Sequence, residues 1–319
     1  MTEKTTKNRT LLWVFIAFIL GFAMPVCSCL GISTMTFWQF GKMFESNVPE
    51  LSIGTGDAVA VISLNGTITS SAQIYAGMQG ITPASVNNLL EQAAANDDVK
   101  AVVLQVNSPG GSVVASDEIY HALLDFEKPI VISMGETAAS GGYYIACGAD
   151  YVIAHPDTLT GSIGVISQFL VFEELMEKYG VEAEIITSGD NKAIGTPYQK
   201  MSAEEREIME SIINEAYENF ISIIAEARDL PLDEVRTLAD GRIYTGRQAF
   251  ELGLVDALGL QDAAIGKAAE LGGIEGEPRI INLGVTPSLM DLLYSYQASQ
   301  SLSLREIIDF AQTPLLMFR

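Results

Sequence analysis

The sequence predicts an α/β domain with a largely parallel sheet, preceded by one N-terminal transmembrane helix. Between about residues 57 and 283, short β-branched runs alternate with segments of helical spacing, which is typical of βαβ units. Residues 11–33 carry no charge and are long enough for the ~20 apolar residues of a membrane span. The chain has 319 residues, 48% hydrophobic and 18% charged, so it can bury a large core and does not resemble a disordered protein.

Charge and composition exclude several classes of function. Lys plus Arg is 18 and Asp plus Glu is 40, and a net charge of −22 disfavours nucleic-acid partners because it repels phosphate backbones. Cys27 and Cys29 lie in the apolar run and Cys147 stands alone, so we expect no disulfide framework. The two histidines, His121 and His155, have no Cys/His cluster around them. We therefore expect no structural zinc site, and we predict neither a metal nor a cofactor.

The N-terminus predicts an anchor in the cell membrane. Residues 1–10 contain three basic residues and one acidic residue, which predicts a cytoplasmic N-terminus, a span at 11–33 and an extracytoplasmic body. A cleaved signal sequence is the alternative interpretation, and a lipidated Cys29 is a weaker one. Residues 34–56 are expected to be a juxtamembrane connector.

From residue 57 the elements follow in a regular order. AVAVISLNGTI predicts a strand ending in a turn, and residues 83–98 have the apolar spacing of a helix. Ser202 and Glu205 form a capping box that predicts a long helix to about Arg228. We expect one domain at 57–283 and a C-terminal appendage at 284–319. The intervening segments predict, in order, strand KAVVLQV, loop NSPGGS, helix VVASDEIYHALLDF, strand PIVISM, loop GETAASGG, helix YYIACGA, strands DYVIAH and VEAEIIT, and a strand and Thr-capped helix in GRIYTGRQAFELGLVDALG.

Two of these loops follow consecutive strands, so both should face the crevice at the carboxyl ends of a parallel sheet. The glycines of Asn107–Ser112 leave backbone N–H groups open to a developing negative charge, although a plain tight turn would look the same. Ser140, in the second loop, lies between small residues at a strand-to-helix corner, where we expect its hydroxyl to have little steric cover. This position suits a nucleophile, and it also suits a simple helix cap.

A serine nucleophile needs a base, and the context of neither histidine favours that role. Lys192 lies in a turn-rich segment in a chain with few lysines. A lysine acts as a general base only where desolvation lowers its pKa, and the alternative is an ordinary solvated surface charge.

Four segments together carry a resemblance to a known family. NSPGGS, GETAASGGYY, TGSIGV and SGDNKAIGTP occur in the order found in the signal peptide peptidase A family, and Lys192 follows Ser140 by 52 residues as in its half-length members. The chain therefore resembles these membrane-anchored serine proteases of the Clp/crotonase-like fold over about 57–283. Asn191 occupies a place where we would expect an aromatic residue, a departure that concerns local packing.

The resemblance implies roles for five residues. Ser140 would be the nucleophile, Lys192 the general base and Ser162 the hydroxyl that orients the lysine amine. The backbone N–H groups of Gly111 and Gly141 would form the oxyanion hole. The resemblance also implies peptide substrates, above all cleaved signal peptides left in the membrane, and a ring-like homo-oligomer with sites shared between neighbours. An acyl-CoA enzyme of crotonase type and a catalytically silent membrane scaffold are the alternatives.

Overall fold

The computed structural model describes residues 56–70, 74–75, 78–284 and 317–318, with only the backbone described at 74–75, 78–79 and 317–318. The predicted span at 11–33, the segment before it, nearly all of the connector and most of the appendage lie outside the described residues. Within the described ranges, no helix is long and apolar enough to cross a membrane.

Twelve strands and eight helices are described along these ranges. The strands are β1 (Ala58–Asn65), β2 (Ile74–Tyr75), β3 (Met78–Gln79), β4 (Val99–Ser108), β5 (Gly111–Ser112), β6 (Ile130–Ala139), β7 (Tyr151–Ala154), β8 (Leu159–Gly161), β9 (Ile243–Thr245), β10 (Ala257–Leu258), β11 (Arg279–Leu283) and β12 (Met317–Phe318). The helices are α1 (Pro83–Ala95), α2 (Val113–Leu124), α3 (Gly141–Ala146), α4 (Glu173–Lys178), α5 (Ala203–Arg228), α6 (Leu232–Leu238), α7 (Gly246–Glu251) and α8 (Gln261–Leu271).

The main sheet has the order β10-β7-β6-β4-β1-β11, and every pair along this path is parallel. Strand β8 pairs parallel with the end of β6, and β9 pairs antiparallel with β8. The prediction of an α/β fold with a largely parallel sheet is confirmed. The carboxyl ends of β4 and β6 lie side by side, which places the two predicted site loops together.

Both faces of the sheet are covered, which explains why its strands are apolar at successive positions. Along β1, Ala60, Ile62 and Leu64 belong to the larger core cluster, while Val59 and Val61 belong to a second one. The larger cluster contains the buried side chains of α1, α2, α3 and α5. The second contains the alanines of α8. The period of two thus divides one apolar strand between two helical layers.

Several predicted elements appear where the sequence placed them. The long helix α5 begins after Ser202, whose hydroxyl accepts from the Glu205 N–H while the Glu205 carboxylate accepts from the Ser202 N–H. Helix α7 begins after Thr245 with the same type of capping box. The strand predicted for PIVISM is longer than expected, because β6 continues through GETAA to Ala139.

The strand predicted for VEAEIIT is wrong for the described chain. Residues 181–187 are neither helix nor strand, and all of their side chains are exposed. The pattern of β-branched residues is present, but none of the described strands pairs with this segment. A β-strand needs a hydrogen-bonded neighbour, so the composition alone does not produce one.

A partly buried ion pair joins the end of α5 to the segment before β10. Arg228 donates two hydrogen bonds to the Asp256 carboxylate, at 3.0 and 2.7 Å, and a third to the Gly253 carbonyl at 3.1 Å. Asp256 also accepts from the Val152 N–H at 2.8 Å. The side chains are only 11% and 27% exposed, so removal of one partner leaves the other poorly solvated.

We expect Arg228→Met to destabilise the protein by about 3 kcal/mol, because it leaves the Asp256 carboxylate without its cation. Arg236→Met is the matched control, since Arg236 makes the same two-bond contact with Glu218 on an exposed surface, with side chains 43% and 50% exposed. Urea unfolding should show a clear loss for Arg228→Met and a far smaller one for Arg236→Met. Equal losses would show that burial of the first pair has no energetic consequence.

Candidate active site

Ser140 lies at the sharp junction between β6 and α3. Its backbone has φ 54° and ψ −117°, a conformation that residues with a side chain rarely adopt and that costs about 1–3 kcal/mol. The turn is held because the Ser140 carbonyl accepts from the N–H groups of Tyr143 and Tyr144, and its own N–H donates to Gly161. Strain of this kind, at the end of a central strand, is typical of functional sites.

The Ser140 side chain is fully buried, whereas the sequence predicted a hydroxyl with little cover. Its Oγ has no hydrogen-bond partner among the described residues. The cover comes from close backbone approach at the two following glycines. A Cβ on Gly141 would lie 2.5 Å from the Ser116 Oγ and 3.2 Å from the Gly111 nitrogen, and one on Gly142 would lie 2.8 Å from the Ser108 carbonyl oxygen. The small residues therefore allow the loop at 107–112 to pack over Ser140, and they do not leave Ser140 exposed.

The Gly111 N–H has a fixed direction, set by Ile68. The Ile68 N–H donates to the Gly110 carbonyl at 2.9 Å, and the Ile68 carbonyl accepts from the Ser112 N–H at 2.9 Å. In a trans peptide the N–H points opposite to the C=O, so the Gly111 N–H points away from Ile68. A Cβ on Gly141 would lie 3.2 Å from the Gly111 nitrogen, so this nitrogen lies close to the residue that follows Ser140. A Cβ on Gly111 would lie 2.0 Å from the Ile68 carbonyl oxygen, so only glycine fits here.

The edge of β5 opposite Ile68 is able to bind an extended chain. The backbone of β12 pairs antiparallel with it, Met317 opposite Ser112 and Phe318 opposite Gly111. Main-chain pairing on an exposed strand edge is one of the general ways in which proteins bind peptides. The edge lies directly beside the Gly111 N–H.

Ser162 directly follows β8, the strand that pairs with the end of β6. Ala139 of β6 is paired with Gly161 of β8, so the two serines follow paired positions on parallel strands. Ser162 also has a positive φ, 49°, is 9% exposed, and donates its N–H to the Arg242 carbonyl. Buried Thr160 fixes this register, because its hydroxyl donates to the Ala138 carbonyl at 2.6 Å.

Lys192 is not in hydrogen-bond contact with Ser140 within one chain, because the Ser140 Oγ has no partner among the described residues. Its side chain is exposed, and its backbone N–H closes a turn onto the Gly189 carbonyl. Neighbouring Asn191 donates to the Glu204 carboxylate at 3.3 Å. One chain thus brings together Ser140, Ser162, Gly111 and Gly141 and leaves Lys192 on the surface.

Among the described residues, Cys147, Tyr143 and the two histidines have surroundings that do not suit a nucleophile or base at this site. Burial raises the pKa of Cys147 to about 12, which keeps this thiol protonated and unreactive near neutral pH. Burial also raises the pKa of Tyr143, whose hydroxyl donates to the Leu254 carbonyl at 2.7 Å. His121 is exposed on α2 and lies 3.7 Å from Asp117, and the His155 Nδ1 accepts from the Asp157 N–H at 3.1 Å. The described ranges contain no group of three His, Cys, Asp or Glu side chains that could hold a metal ion.

The fold is α/β with a mostly parallel sheet, and the family matches place the chain among the serine peptidases. The sequence profile of the Clp proteases matches residues 82–160, which include both loops, and that of Peptidase family S49 matches residues 122–275.

Three relatives make the assignment specific. The chain is 38% identical over 243 residues to "Putative signal peptide peptidase SppA" of Enterococcus faecium, a match that covers 73% of this chain and 70% of that protein. It is 37% identical over 200 residues to "Putative protease MJ0651" of Methanocaldococcus jannaschii, covering 62% of this chain and 64% of that one. It is 38% identical over 224 residues to Protease 4 of Salmonella typhi, covering 69% of this chain and 36% of the relative. The chain belongs to peptidase family S49, the signal peptide peptidase A family, and it spans under two thirds of the length of the second and third of these relatives.

Gly111→Ala should lower the midpoint of urea unfolding and reduce any activity that depends on this loop, because its Cβ would overlap the Ile68 carbonyl. Gly266→Ala is the control, since Gly266 lies exposed inside α8 with nothing within 4 Å of a new Cβ. That change should stabilise the protein by about 0.5–1 kcal/mol. If Gly111→Ala behaves like Gly266→Ala, the described contact with Ile68 is wrong.

Proposed function

We propose that this protein is a membrane-anchored serine endopeptidase in which Ser140 is the nucleophile and Lys192 the general base. One observation carries the proposal. Ser140 is strained and buried, and its hydroxyl has no partner among the described residues. The Gly111 N–H, which points away from Ile68, lies close to the following residue, Gly141. A hydroxyl of this kind contributes little to stability, and the same geometry suits attack on a carbonyl.

The proposed reaction has two halves. Neutral Lys192 takes the proton from the Ser140 Oγ, which attacks the carbonyl carbon of the scissile peptide. The N–H groups of Gly111 and Gly141 stabilise the oxyanion of the tetrahedral intermediate. Lys192 then gives its proton to the leaving amine, and the acyl-enzyme remains. Water, deprotonated by Lys192, attacks the ester carbonyl, and the protonated lysine returns this proton to the Ser140 Oγ as the acid is released. Ser162 would orient the lysine amine by accepting a hydrogen bond from one of its N–H groups.

We infer that Lys192 reaches Ser140 from a neighbouring subunit. The Ser140 hydroxyl is buried without a hydrogen-bond partner among the described residues, and Lys192 is exposed. A second copy that carries its Lys192 to Ser140 would give each of these side chains a partner. A contact of this type is head-to-tail, and it closes into a ring when the rotation between subunits allows.

Exposed apolar side chains around Lys192 support the same assembly. Residues 166–186 bury almost nothing, although they contain many large apolar side chains. In α5 the fully buried apolar side chains begin only at Phe220, and Ile212 in its first half is 39% exposed. Contiguous apolar exposure on this scale is typical of interfaces. The exposed side chains of this surface are Ile166, Leu170, Val171, Phe172, Leu175, Tyr179, Val181, Ile185 and Ile186.

The substrates we propose are unstructured apolar peptides, including signal peptides left in the membrane. The uncharged run at 11–33 would hold the domain beside the bilayer, on its extracytoplasmic side, where such peptides accumulate. The antiparallel pairing of β12 with β5 supports binding of an extended peptide at the same edge. A folded protein cannot offer a free strand of this kind without unfolding locally.

Ser140→Ala should lower kcat for an apolar peptide by about 10⁴-fold or more, as removal of other serine nucleophiles does. The urea midpoint should stay close to that of the wild type, because the hydroxyl makes no hydrogen bond with a described residue. Ser133→Ala, at a buried serine in the middle of the same strand, is the control for a lost hydroxyl. Hydrolysis by Ser140→Ala at a tenth of the wild-type rate would contradict the proposed nucleophile, and unchanged function in cells would favour a silent scaffold.

Lys192→Arg should be as inactive as Lys192→Ala, because a guanidinium does not deprotonate and cannot take the serine proton. Steady-state hydrolysis of the same peptide measures the activity of both variants, and light scattering checks that their molar mass in solution equals that of the wild type. Lys178→Arg, at another lysine of the same exposed segment, should keep wild-type activity. Substantial activity in Lys192→Arg would mean that the site needs a positive charge and not a base.

Mixing Ser140→Ala with Lys192→Ala chains should restore activity if each site takes its serine and lysine from different subunits. With random mixing of equal amounts, roughly a quarter of the sites would be intact. The two variants are unfolded and refolded together, and exchange is verified with differently tagged chains. Mixed oligomers that stay inactive would place both residues in the same subunit.

A further inference from the structure

Two buried hydroxyls beside the site take no part in the proposed reaction. Ser108, the last residue of β4, and Ser116, in the first half of α2, are both fully buried. They flank Gly111, one on each side along the chain. Neither was singled out by sequence reasoning, because a serine in a strand or a helix carries no signal of its own.

We propose that Ser108 and Ser116 are positioning residues that hold the Gly111 N–H against the Ser140 junction. The inference rests on the proposed function, in which that N–H binds the oxyanion. Neither hydroxyl touches the substrate. Each acts through a hydrogen bond to the backbone of the loop that carries Gly111.

Ser108 holds the incoming side of this loop. Its Oγ accepts from the Gly110 N–H at 3.1 Å, and the contact is buried. Gly110 has φ 100°, so the chain turns sharply here, and Pro109 cannot contribute an N–H of its own. The Gly110 carbonyl is held by Ile68, so both sides of this residue are fixed. The Gly110 carbonyl and the Gly111 N–H belong to the same peptide plane, so fixing Gly110 also fixes the orientation of the Gly111 N–H.

Ser116 holds the outgoing side and links the two loops. Its Oγ donates to the Ser112 carbonyl at 2.9 Å, one residue beyond Gly111. The same Oγ lies within 2.5 Å of the position that a Gly141 Cβ would occupy. One hydroxyl thus contacts both segments that bear the proposed oxyanion donors, and its loss leaves space between them.

The expected consequence concerns the transition state more than the bound substrate. Oxyanion donors act only where they point at the developing charge, and misplacement by about 1 Å can cost about 10²-fold in rate. An extended substrate on the β5 edge depends on several backbone contacts and should tolerate such a shift. Loss of either hydroxyl should therefore lower kcat and leave KM nearly unchanged.

The test compares Ser108→Ala and Ser116→Ala with wild type and with the Ser133→Ala control, all as full-length chains. Two inhibitors with the same apolar peptide are used, one ending in an aldehyde and one in the matching alcohol. The aldehyde forms a tetrahedral adduct with Ser140 whose oxyanion occupies the hole, and the alcohol forms none. We expect kcat and aldehyde affinity to fall together by roughly tenfold to a hundredfold, and alcohol affinity to stay within about twofold.

Ser116→Cys keeps a side chain of similar size with a weak hydrogen-bond donor, so it should recover part of kcat and part of the aldehyde affinity. This variant also replaces the alanine variants if they fold poorly. Wild-type kcat in both alanine variants would overturn the proposal, and so would an equal loss of aldehyde and alcohol affinity, since that indicates a general structural role. Failure of the proposed function gives a different result. In that case wild type binds the aldehyde no better than the alcohol, or Ser140→Ala stays active, and the inference falls with it.

Discussion

The close contact between two glycine backbones is the constraint on which the site depends. A Cβ on Gly141 would lie 3.2 Å from the Gly111 nitrogen and 2.5 Å from the Ser116 Oγ, and a Cβ on Gly111 would overlap the Ile68 carbonyl. The contact is possible because β4 and β6 are parallel neighbours whose carboxyl ends lie side by side. The segment after each strand turns at glycines, so no side chain separates the two. It accompanies the burial of Ser140 and the strained conformation of its junction, while the hydrogen bonds of Ile68 set the direction of the Gly111 N–H. The energy for this strain comes from the two-layered core around the sheet.

The same geometry explains why one chain carries only part of the proposed chemistry. The loops that hold Ser140, Ser162 and the two glycines are tied to the central strands by backbone hydrogen bonds. Lys192 lies on a segment with almost no buried side chains, and that segment gains little stability from its own chain. Under the proposal, rigid donors on one subunit and an exposed lysine on another would make activity depend on assembly. The net charge of −22 would make the proposed assembly sensitive to salt, because like-charged subunits repel.

Local signals in the sequence predicted much of this architecture. Alternation of strands and helices predicted the parallel sheet, and the pair Ser202 and Glu205 predicted the start of α5. The position of Ser140 at a strand-to-helix corner followed from the small residues around it. Features that depend on contacts between distant segments were not predictable in this way. The strand expected at 181–187 has no partner, Ser140 is covered by a loop about 30 residues away, and the role of Ile68 comes from its backbone, which any residue possesses.

The most direct test of the account is to map the adduct formed by a fluorophosphonate on the full-length protein. Such a reagent reacts with a serine whose hydroxyl is deprotonated, loses fluoride and leaves a phosphonyl group that mimics the tetrahedral intermediate. We predict a single adduct on Ser140, found by peptide mass spectrometry, absent in Ser140→Ala and formed far more slowly in Lys192→Ala. An adduct on another serine, or equal labelling of wild type and Ser140→Ala, would contradict the claim that Ser140 is the nucleophile.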